Sequence, residues 1–362
     1  MRAALLRESP GWLELAEIQV DRPGPREVLI RTAAAGLCHS DLHFMDGKYR
    51  LATLPCVLGH ESAGVIEAVG EDVTYVLPGD HVVTCLTGFC GHCKFCLTGR
   101  SYLCTSPELY RSGSEKSRLA EGPQPVDQFA HMGSFAEQML VHENAIVKVP
   151  PGVPLDRAAL IGCGVITGLG SVFHTAAVPP GAVVAVIGCG GVGLSCIQGA
   201  RLAGASRIVA IDVLDSKLAL ARQLGATDIV NGSEGDTVAK VVEMTSGGVE
   251  FSFEAIGSTQ AAQQALQLLE RGGTATIIGM IPPGQFVEVP GMALLSGKTL
   301  RGCQMGSNHF RVDIPRYLDL YLQGRLYLDE MISNRITLEQ INDGFRSLQK
   351  GEITRDVVVF GA

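Results

Sequence analysis

The chain has 362 residues, of which 46% are hydrophobic and 18% are charged, and its formal net charge at pH 7 is -8. This composition is that of a globular protein with a substantial core, and the length favours two domains. The acidic balance, with no run of five or more basic residues, argues against nucleic acid and anionic membranes as partners.

The first eight residues contain too short an apolar run for a secretory signal. Residues 158–200 lack Lys, Arg, Asp and Glu, but prolines and glycines interrupt them, so buried strand, turn and helix are favoured over a membrane span. The 11 cysteines, an odd number, favour metal binding and burial over disulfides. We therefore expect a cytoplasmic protein.

The first region, up to about residue 155, consists of short strand-like runs separated by Gly, Pro and Asp. Such runs occupy 27–31, 64–70, 81–84 and 135–141, and they predict a β-rich, barrel-like domain. The polar residues 105–134 predict a long surface loop.

Within this region, Cys38 precedes His60 by 22 residues, and proton-carrying side chains surround both. A thiolate and an imidazole suit a zinc ion that keeps one coordination position open. For these two residues alone, a buried cysteine and an unrelated histidine are the alternative.

Four cysteines follow in a tight spacing: Cys90, Cys93, Cys96 and Cys104. Four thiolates complete a tetrahedron, so this motif predicts a structural zinc site with no open position. An iron–sulfur cluster is the rival, but no proline follows the last cysteine and there is no second set. Four unligated cysteines in an exposed loop are disfavoured because exposed thiols oxidise.

A dinucleotide-binding pattern begins with the apolar run 182–187. A glycine-rich turn, a helical segment and a second strand that ends at Asp212 follow, and the motif glycines are Gly188, Gly190, Gly191 and Gly193. Glycines let the backbone approach a pyrophosphate at the helix N-terminus, and the acid favours NAD over NADP by binding the ribose hydroxyls. An ordinary tight turn is the alternative.

Strands and helices then alternate up to about residue 303, which predicts a doubly wound parallel sheet. Helices are expected over 216–224, 259–269, 315–323 and 338–349, and a last strand over 356–360. The segment after residue 304 lacks this alternation and is expected to return to the first domain.

Taken together, these motifs resemble those of the zinc-containing medium-chain alcohol dehydrogenases. The segment Gly59-His60-Glu61, with Gly64 and Gly70, matches their zinc signature, and the four-cysteine lobe and dinucleotide glycines stand in the expected order. The resemblance covers essentially the whole chain, and the long segment after Cys104 is closer to that of the dimeric enzymes.

The resemblance implies an α/β protein with a GroES-like β-rich catalytic domain, built from residues 1–164 and 304–362. A zinc lobe would occupy about 88–105, and a Rossmann NAD-binding domain would occupy 165–303. In this family the active site lies in the cleft between the two domains. The resemblance also implies a zinc-dependent, NAD-linked oxidoreductase. Such an enzyme would be a homodimer and would act on small alcohols or aldehydes.

The resemblance also assigns site residues. Cys163 completes the catalytic zinc site with Cys38 and His60, which makes two zinc ions per chain. Ser40 and His43 would carry the proton to solvent, Asp41 would orient His60, and Glu61 would lie near the metal. Further cofactor-binding positions are His39, Thr167, Val192, Lys217 and Arg355. Leu86, Phe135 and Met280 match pocket positions, with core packing as their alternative.

Two other functions remain open at this point. Thiol-dependent formaldehyde dehydrogenases share the scaffold, although their glutathione-using members usually carry tyrosine where this chain has His43. A non-catalytic zinc-bearing relative is the second, and the intact ligand set, Ser40 and the cofactor glycines argue against it.

Overall fold

The structure, a computed structural model of the chain, describes residues 1–51, 53–111 and 115–361. The chain divides into two units. The first, here called the catalytic unit, comprises Met1–Cys163 and His309–Ala362, and the second, the cofactor unit, comprises Gly164–Asn308. The sequence placed these divisions after residues 164 and 303.

The strands of the described residues are β1 (Arg2–Leu6), β2 (Leu13–Glu17), β3 (Gln19–Val20), β4 (Glu27–Gly36), β5 (Cys56–Val57), β6 (Ser62–Val69), β7 (His81–Thr84), β8 (Leu119–Glu121), β9 (Gln124–Gln128), β10 (Gln138–His142), β11 (Ile146–Lys148), β12 (Val183–Ile187), β13 (Arg207–Asp212), β14 (Asp228–Asn231), β15 (Val249–Glu254), β16 (Leu269–Ile277), β17 (Thr299–Gly302), β18 (Asn334–Ile336) and β19 (Asp356–Val359).

The α-helices are α1 (His39–Met45), α2 (Lys94–Leu97), α3 (Leu155–Leu160), α4 (Ile166–Gly170), α5 (Gly191–Ala203), α6 (Asp215–Leu224), α7 (Thr237–Met244), α8 (Thr259–Gln267), α9 (Gly291–Leu295), α10 (Phe310–Leu322) and α11 (Ile341–Gln349). Together with intervening π-helical turns, α3 and α4 form the helical segment Leu155–Ala176. This segment is long and apolar enough to cross a membrane, but 89% of its most apolar window is already buried in protein.

The described residues of the catalytic unit form two sheets. One has the order β11-β7-β6-β4-β19-β18, with β10 also paired to β4, and the other has the order β2-β1-β5-β9-β8-β3. The ten-residue strand β4 is the centre of the first sheet, and the C-terminal strand β19 pairs antiparallel with it. The last strand of the chain therefore lies beside the segment that leads into Cys38.

The cofactor unit contains one parallel six-stranded sheet in the order β14-β13-β12-β15-β16-β17. Its inner strands are runs of small and branched apolar residues, as expected for strands covered on both faces. The strand order reverses between β12 and β15, and ligands of such sheets bind outside the carboxyl ends of the strands at that point. The predicted α/β fold class is confirmed.

Two local predictions were wrong. The connection 105–134 is not a surface loop throughout, because β8 and β9 lie in it and Leu119 and Val126 are 1% exposed core residues; residues 112–114 lie outside the described residues. Helix α10 begins at Phe310 and not at Pro315, because the Asp313 carboxylate accepts a hydrogen bond from the His309 N–H and the backbone of His309 accepts from the next turn.

Candidate functional site

The structure brings Cys38, His60 and Cys163 together in the catalytic unit. Their ligand atoms all lie within 4.8 Å of one another, and all three side chains are buried. Cys38 is the residue before helix α1, His60 follows Gly59 (φ 90°), and Cys163 lies in the π-helical turn after α3. Residues 103 positions apart thus meet at one point, with His60 Nε2 3.1 Å from Cys163 Sγ.

The Asp41 carboxylate fixes the orientation of this imidazole. Its Oδ1 lies 3.3 Å from His60 Nδ1 and accepts the Gly59 N–H at 2.9 Å, and the side chain is fully buried. Because Nδ1 faces the carboxylate, Nε2 faces the two sulfurs. Burial opposes charge on the ring, but the Asp41 carboxylate raises the pKa of His60 above its usual value.

A buried arginine also lies beside the cluster. Arg355 is 3% exposed, donates to the Leu37 carbonyl at 2.8 Å and lies 3.6 Å from Glu61 Oε2. A hydrogen bond from Cys163 and the positive charge of Arg355 lower the pKa of Cys38 despite burial. The same sulfur contact and burial raise the pKa of Cys163. Arg355 therefore balances part of the thiolate charge, while its predicted contact with a cofactor phosphate stays a prediction.

The two predicted proton carriers lie in α1. Ser40 Oγ is 3.7 Å from Cys38 Sγ. His43 is half-buried on the same helix, its ring centroid 5.8 Å from that of Tyr49. Burial first, and then the charge of Lys48, lower the pKa of His43, which favours the neutral form of its imidazole. His39 is exposed at the start of the helix.

An aromatic wall, defined as Phe44, Tyr49 and Phe129, lies beside the cluster and was missed from the sequence. Phe129 meets the His60 ring edge-on, with centroids 5.4 Å apart, and Phe44 lies 4.6 Å from Phe129. Tyr49 follows at 5.9 Å from Phe44. All three rings are partly exposed. Phe129 belongs to the segment interpreted as a surface loop, so no sequence signal pointed to it.

The predicted pocket residue Phe135 is instead a core residue. It is 0% exposed and packs edge-on against Phe345 at 5.8 Å, while its backbone bonds to Leu58 and Ala4. Core packing, the alternative left open by the sequence, accounts for this side chain. Leu86 is partly buried against a second core cluster, and Met280 is partly exposed in the cofactor unit.

The four cysteines Cys90, Cys93, Cys96 and Cys104 form a second group in the catalytic unit, again with all sulfurs within 4.8 Å. The Cys93 sulfur lies 3.6 Å from that of Cys96 and 3.9 Å from that of Cys104. Backbone N–H groups of His92 and Cys93 lower the pKa of Cys90 to about 6 against the effect of burial. Four converging sulfurs fit a tetrahedral zinc ion, whose ligands are thiolates.

The glycine-rich turn of the cofactor unit lies between β12 and α5. Gly188 has φ 93°, and a Cβ on Gly193 would lie 1.7 Å from the Gly188 carbonyl oxygen, so neither position accommodates another residue. A Cβ on Gly190 would meet nothing within 4 Å, which leaves room for a ligand at the N-terminus of α5. These features fit a dinucleotide pyrophosphate.

Asp212 ends β13 next to this turn. Its Oδ2 accepts the Cys189 N–H at 2.7 Å and its Oδ1 accepts the Val213 N–H at 2.8 Å. Of the other predicted cofactor contacts, Val192 and Lys217 are partly exposed, and Thr167 is 6% exposed with its Oγ1 3.4 Å from Met305 Sδ.

Comparison with known proteins places these features in a family. Residues 24–151 match the alcohol dehydrogenase GroES-like domain, and residues 191–323 match the zinc-binding dehydrogenase domain. The chain is 37% identical to alcohol dehydrogenase class-3 of Zea mays, over 99% of this chain and 96% of that protein. It is 38% identical to S-(hydroxymethyl)glutathione dehydrogenase of Saccharomyces cerevisiae, over 98% of this chain and 95% of that protein.

A solved structure gives the same relationship. Benzyl alcohol dehydrogenase from Acinetobacter calcoaceticus superimposes with a TM-score of 0.93 at 35% identity, covering 99% of each chain.

Proposed function

Because this chain belongs to the zinc-containing medium-chain alcohol dehydrogenase family, we propose that Cys38, His60 and Cys163 hold its catalytic zinc ion. The protein is an NAD-dependent alcohol dehydrogenase that interconverts alcohols with aldehydes or ketones. The site assignment rests on one observation: two thiols and one imidazole, all buried, converge within 4.8 Å of one another. Three such ligands leave one coordination position for substrate.

When bound, zinc supplies the Lewis acidity that lowers the pKa of an alcohol hydroxyl, and NAD accepts the hydride. The protein contributes orientation and proton transfer. Asp41 holds the imidazole of His60, and Arg355 with Glu61 balances charge around the sulfurs. Ser40 accepts the proton that the alcohol loses, and the neutral imidazole of His43 passes it to solvent.

In the cofactor unit we propose that Gly188, Gly190, Gly191 and Gly193 form the pyrophosphate site and that Asp212 binds the adenosine ribose. The lobe cysteines hold the second, structural zinc ion. Leu86 and Met280 remain proposed pocket residues.

We further propose that the preferred substrates are aromatic primary alcohols. The aromatic wall supports this, because its ring nearest the centre, Phe129, stands edge-on to the ligand His60. A substrate ring next to Phe129 gains an aromatic contact worth about 0.5–1.5 kcal/mol beyond its buried area. The relative named for benzyl alcohol is consistent with this choice.

The test compares benzyl alcohol with cyclohexylmethanol, which has a similar shape but no aromatic ring. The kcat/KM of the zinc-loaded protein with NAD should favour benzyl alcohol, and Phe129→Leu should reduce that preference by about 3- to 10-fold. Phe95→Leu, in the cysteine lobe, is the control and should leave the ratio unchanged. Equal kcat/KM values for the two alcohols would refute the aromatic preference, and no NADH from either alcohol would refute aromatic alcohols as substrates.

A second candidate substrate is the adduct of formaldehyde and glutathione. The names of the curated relatives favour it, since one of them is S-(hydroxymethyl)glutathione dehydrogenase at 38% identity. Formaldehyde in the same assay, with and without glutathione, distinguishes it. NADH formation from formaldehyde only when glutathione is present, and none from the two alcohols, would replace the aromatic-alcohol proposal.

We propose that the protein is a homodimer that pairs through β17. This strand is one of the two edge strands of the cofactor sheet, and large apolar side chains near it in the chain are exposed: Phe286 (84%), Met292 (72%) and Leu295 (77%). An unpaired edge beside apolar surface is suited to antiparallel pairing with a second copy.

Light scattering tests the dimer. The 38.3 kDa chain should have twice that mass in solution, and the double variant Met292→Asp, Leu295→Asp should have the mass of one chain. A monomeric parent protein would contradict the proposal.

We also propose a cytoplasmic location, because metal-binding thiols persist in a reducing compartment, and cell fractionation checks it.

A further inference from the structure

A buried carboxylate, Glu254, lies at the carboxyl edge of the cofactor sheet, outside the predicted cofactor motif. Strands β12 and β15 are neighbours where the strand order reverses, and their register pairs Glu254 with Ile187. Ile187 directly precedes Gly188, the first glycine of the dinucleotide motif. The side chain thus stands where parallel sheets of this type bind ligands.

The Glu254 carboxylate joins two separate turns. Its Oε1 accepts the N–H groups of Ile256 at 2.8 Å and Gly257 at 2.6 Å, and its Oε2 accepts the Gly279 N–H at 3.2 Å. The first two residues follow β15, and Gly279 follows β16. The side chain is 0% exposed.

The two turns pack closely against each other, and the first of them packs against Gly188 of the glycine motif. A Cβ on Gly279 would lie 2.0 Å from the Gly257 nitrogen, and a Cβ on Gly188 would lie 2.7 Å from Ile256 Cγ1. A displacement of the turn at 256–257 would therefore reach Gly188 directly, and a displacement of the turn at 279 would reach it through the first turn. Ile256 itself is 54% exposed, so the fixed turn presents an apolar side chain beside the cofactor motif.

The electrostatics favour a specific role for this carboxylate. Among the described residues, the hydrogen-bond partners of its oxygens are backbone N–H groups, with no cationic side chain. Burial raises the pKa of Glu254, and those N–H groups counteract the rise. Burying a carboxylate without a cationic partner costs free energy. A neutral residue could close the turn at a lower cost, so the charged residue indicates that the order it imposes on the two turns has a function.

We propose that Glu254 is a positioning residue for the dinucleotide. It holds the turn at 256–257 against Gly188 and the turn at 279–280 against that first turn, so that the cofactor meets a preformed surface. The inference rests on the proposed NAD site in this unit. Preorganisation of this kind contributes to binding because less ordering is lost when the ligand arrives.

The test is Glu254→Gln in the zinc-loaded protein. The amide replaces one acceptor oxygen by an N–H donor that faces the backbone N–H groups, so the turns lose part of their anchor. We expect the Kd for NADH, from the fluorescence of the bound cofactor, to rise about tenfold. The KM for NAD should rise by a similar factor, while kcat at saturating NAD changes less than twofold.

Glu250→Gln is the matched control. Glu250 lies on the same strand and also accepts a backbone N–H, that of Val183 at 2.7 Å, but at the opposite end of β15. It should leave the Kd for NADH unchanged. If Glu254→Gln is insoluble, Glu254→Asp, which keeps the charge but shortens the side chain, should give the same rise.

The outcomes separate the two proposals. A parent protein that does not bind NADH refutes the NAD site itself. A parent protein that binds NADH, with a Glu254 variant of lowered Tm but unchanged Kd and KM, refutes the positioning role and leaves Glu254 a structural residue.

Discussion

Cys163→Ser should lower kcat/KM for benzyl alcohol at least about a thousandfold and reduce the metal content from two zinc ions per chain to one. A serine oxygen is a poor zinc ligand, and the Lewis acidity lost with the ion is worth several kcal/mol of transition-state stabilisation. Elemental analysis of the purified protein and steady-state kinetics with NAD provide the two measurements.

Cys56→Ala is the control for that variant. Cys56 is a buried cysteine of the same unit, 1% exposed, and it lies in neither sulfur cluster. It should retain both zinc ions and most of the activity. Two zinc ions in the Cys163 variant, or full activity with one, would show that Cys163 does not hold the catalytic ion.

Asp212→Asn should raise the KM for NAD by about 10- to 100-fold and lower that for NADP. Charge-assisted hydrogen bonds to the ribose hydroxyls are worth about 1.5–3 kcal/mol, and the repulsion of a 2′-phosphate disappears with the charge. The amide oxygen can still accept a backbone N–H, as Asp212 does from Cys189, so the turn should persist. Steady-state kinetics with both cofactors measure the effect.

Asp228→Asn serves as the matched change. Asp228 begins β14, so it lies at the amino ends of the strands, whereas Asp212 lies at the carboxyl ends. It pairs with Arg207 at 2.8 Å. The Asp228→Asn variant should be slightly less stable than the parent protein, and the ratio of its KM for NAD to its KM for NADP should be unchanged. A similar ratio in parent and Asp212→Asn proteins would remove Asp212 from cofactor selection.

Local motifs were sufficient for much of the fold. The run before Gly188 is a strand, the glycines open a helix, and Asp212 ends the next strand, because tight turns and buried parallel strands constrain short stretches of sequence strongly. The four lobe cysteines converge for the same reason, since all lie within 15 residues.

The sequence left open or mispredicted positions where distant contacts decide the outcome. Phe135 lies in the core because strands far apart in the chain enclose it, and a family position alone did not indicate this. Residues 105–134 are polar overall, yet two short strands bury Leu119 and Val126 against the rest of the unit.

By itself, the sequence determined the fold class, the donor types of both metal groups and the cofactor motif, because each depends on neighbouring residues or on chemistry that only a few side chains provide. Only the family resemblance placed Cys163 with His60 in advance, and the tertiary structure alone decided that Arg355 lies beside Glu61, that Phe129 faces the imidazole and that Glu254 joins two turns. These contacts connect residues from 25 to nearly 300 positions apart, so they exist only after the sheets have formed.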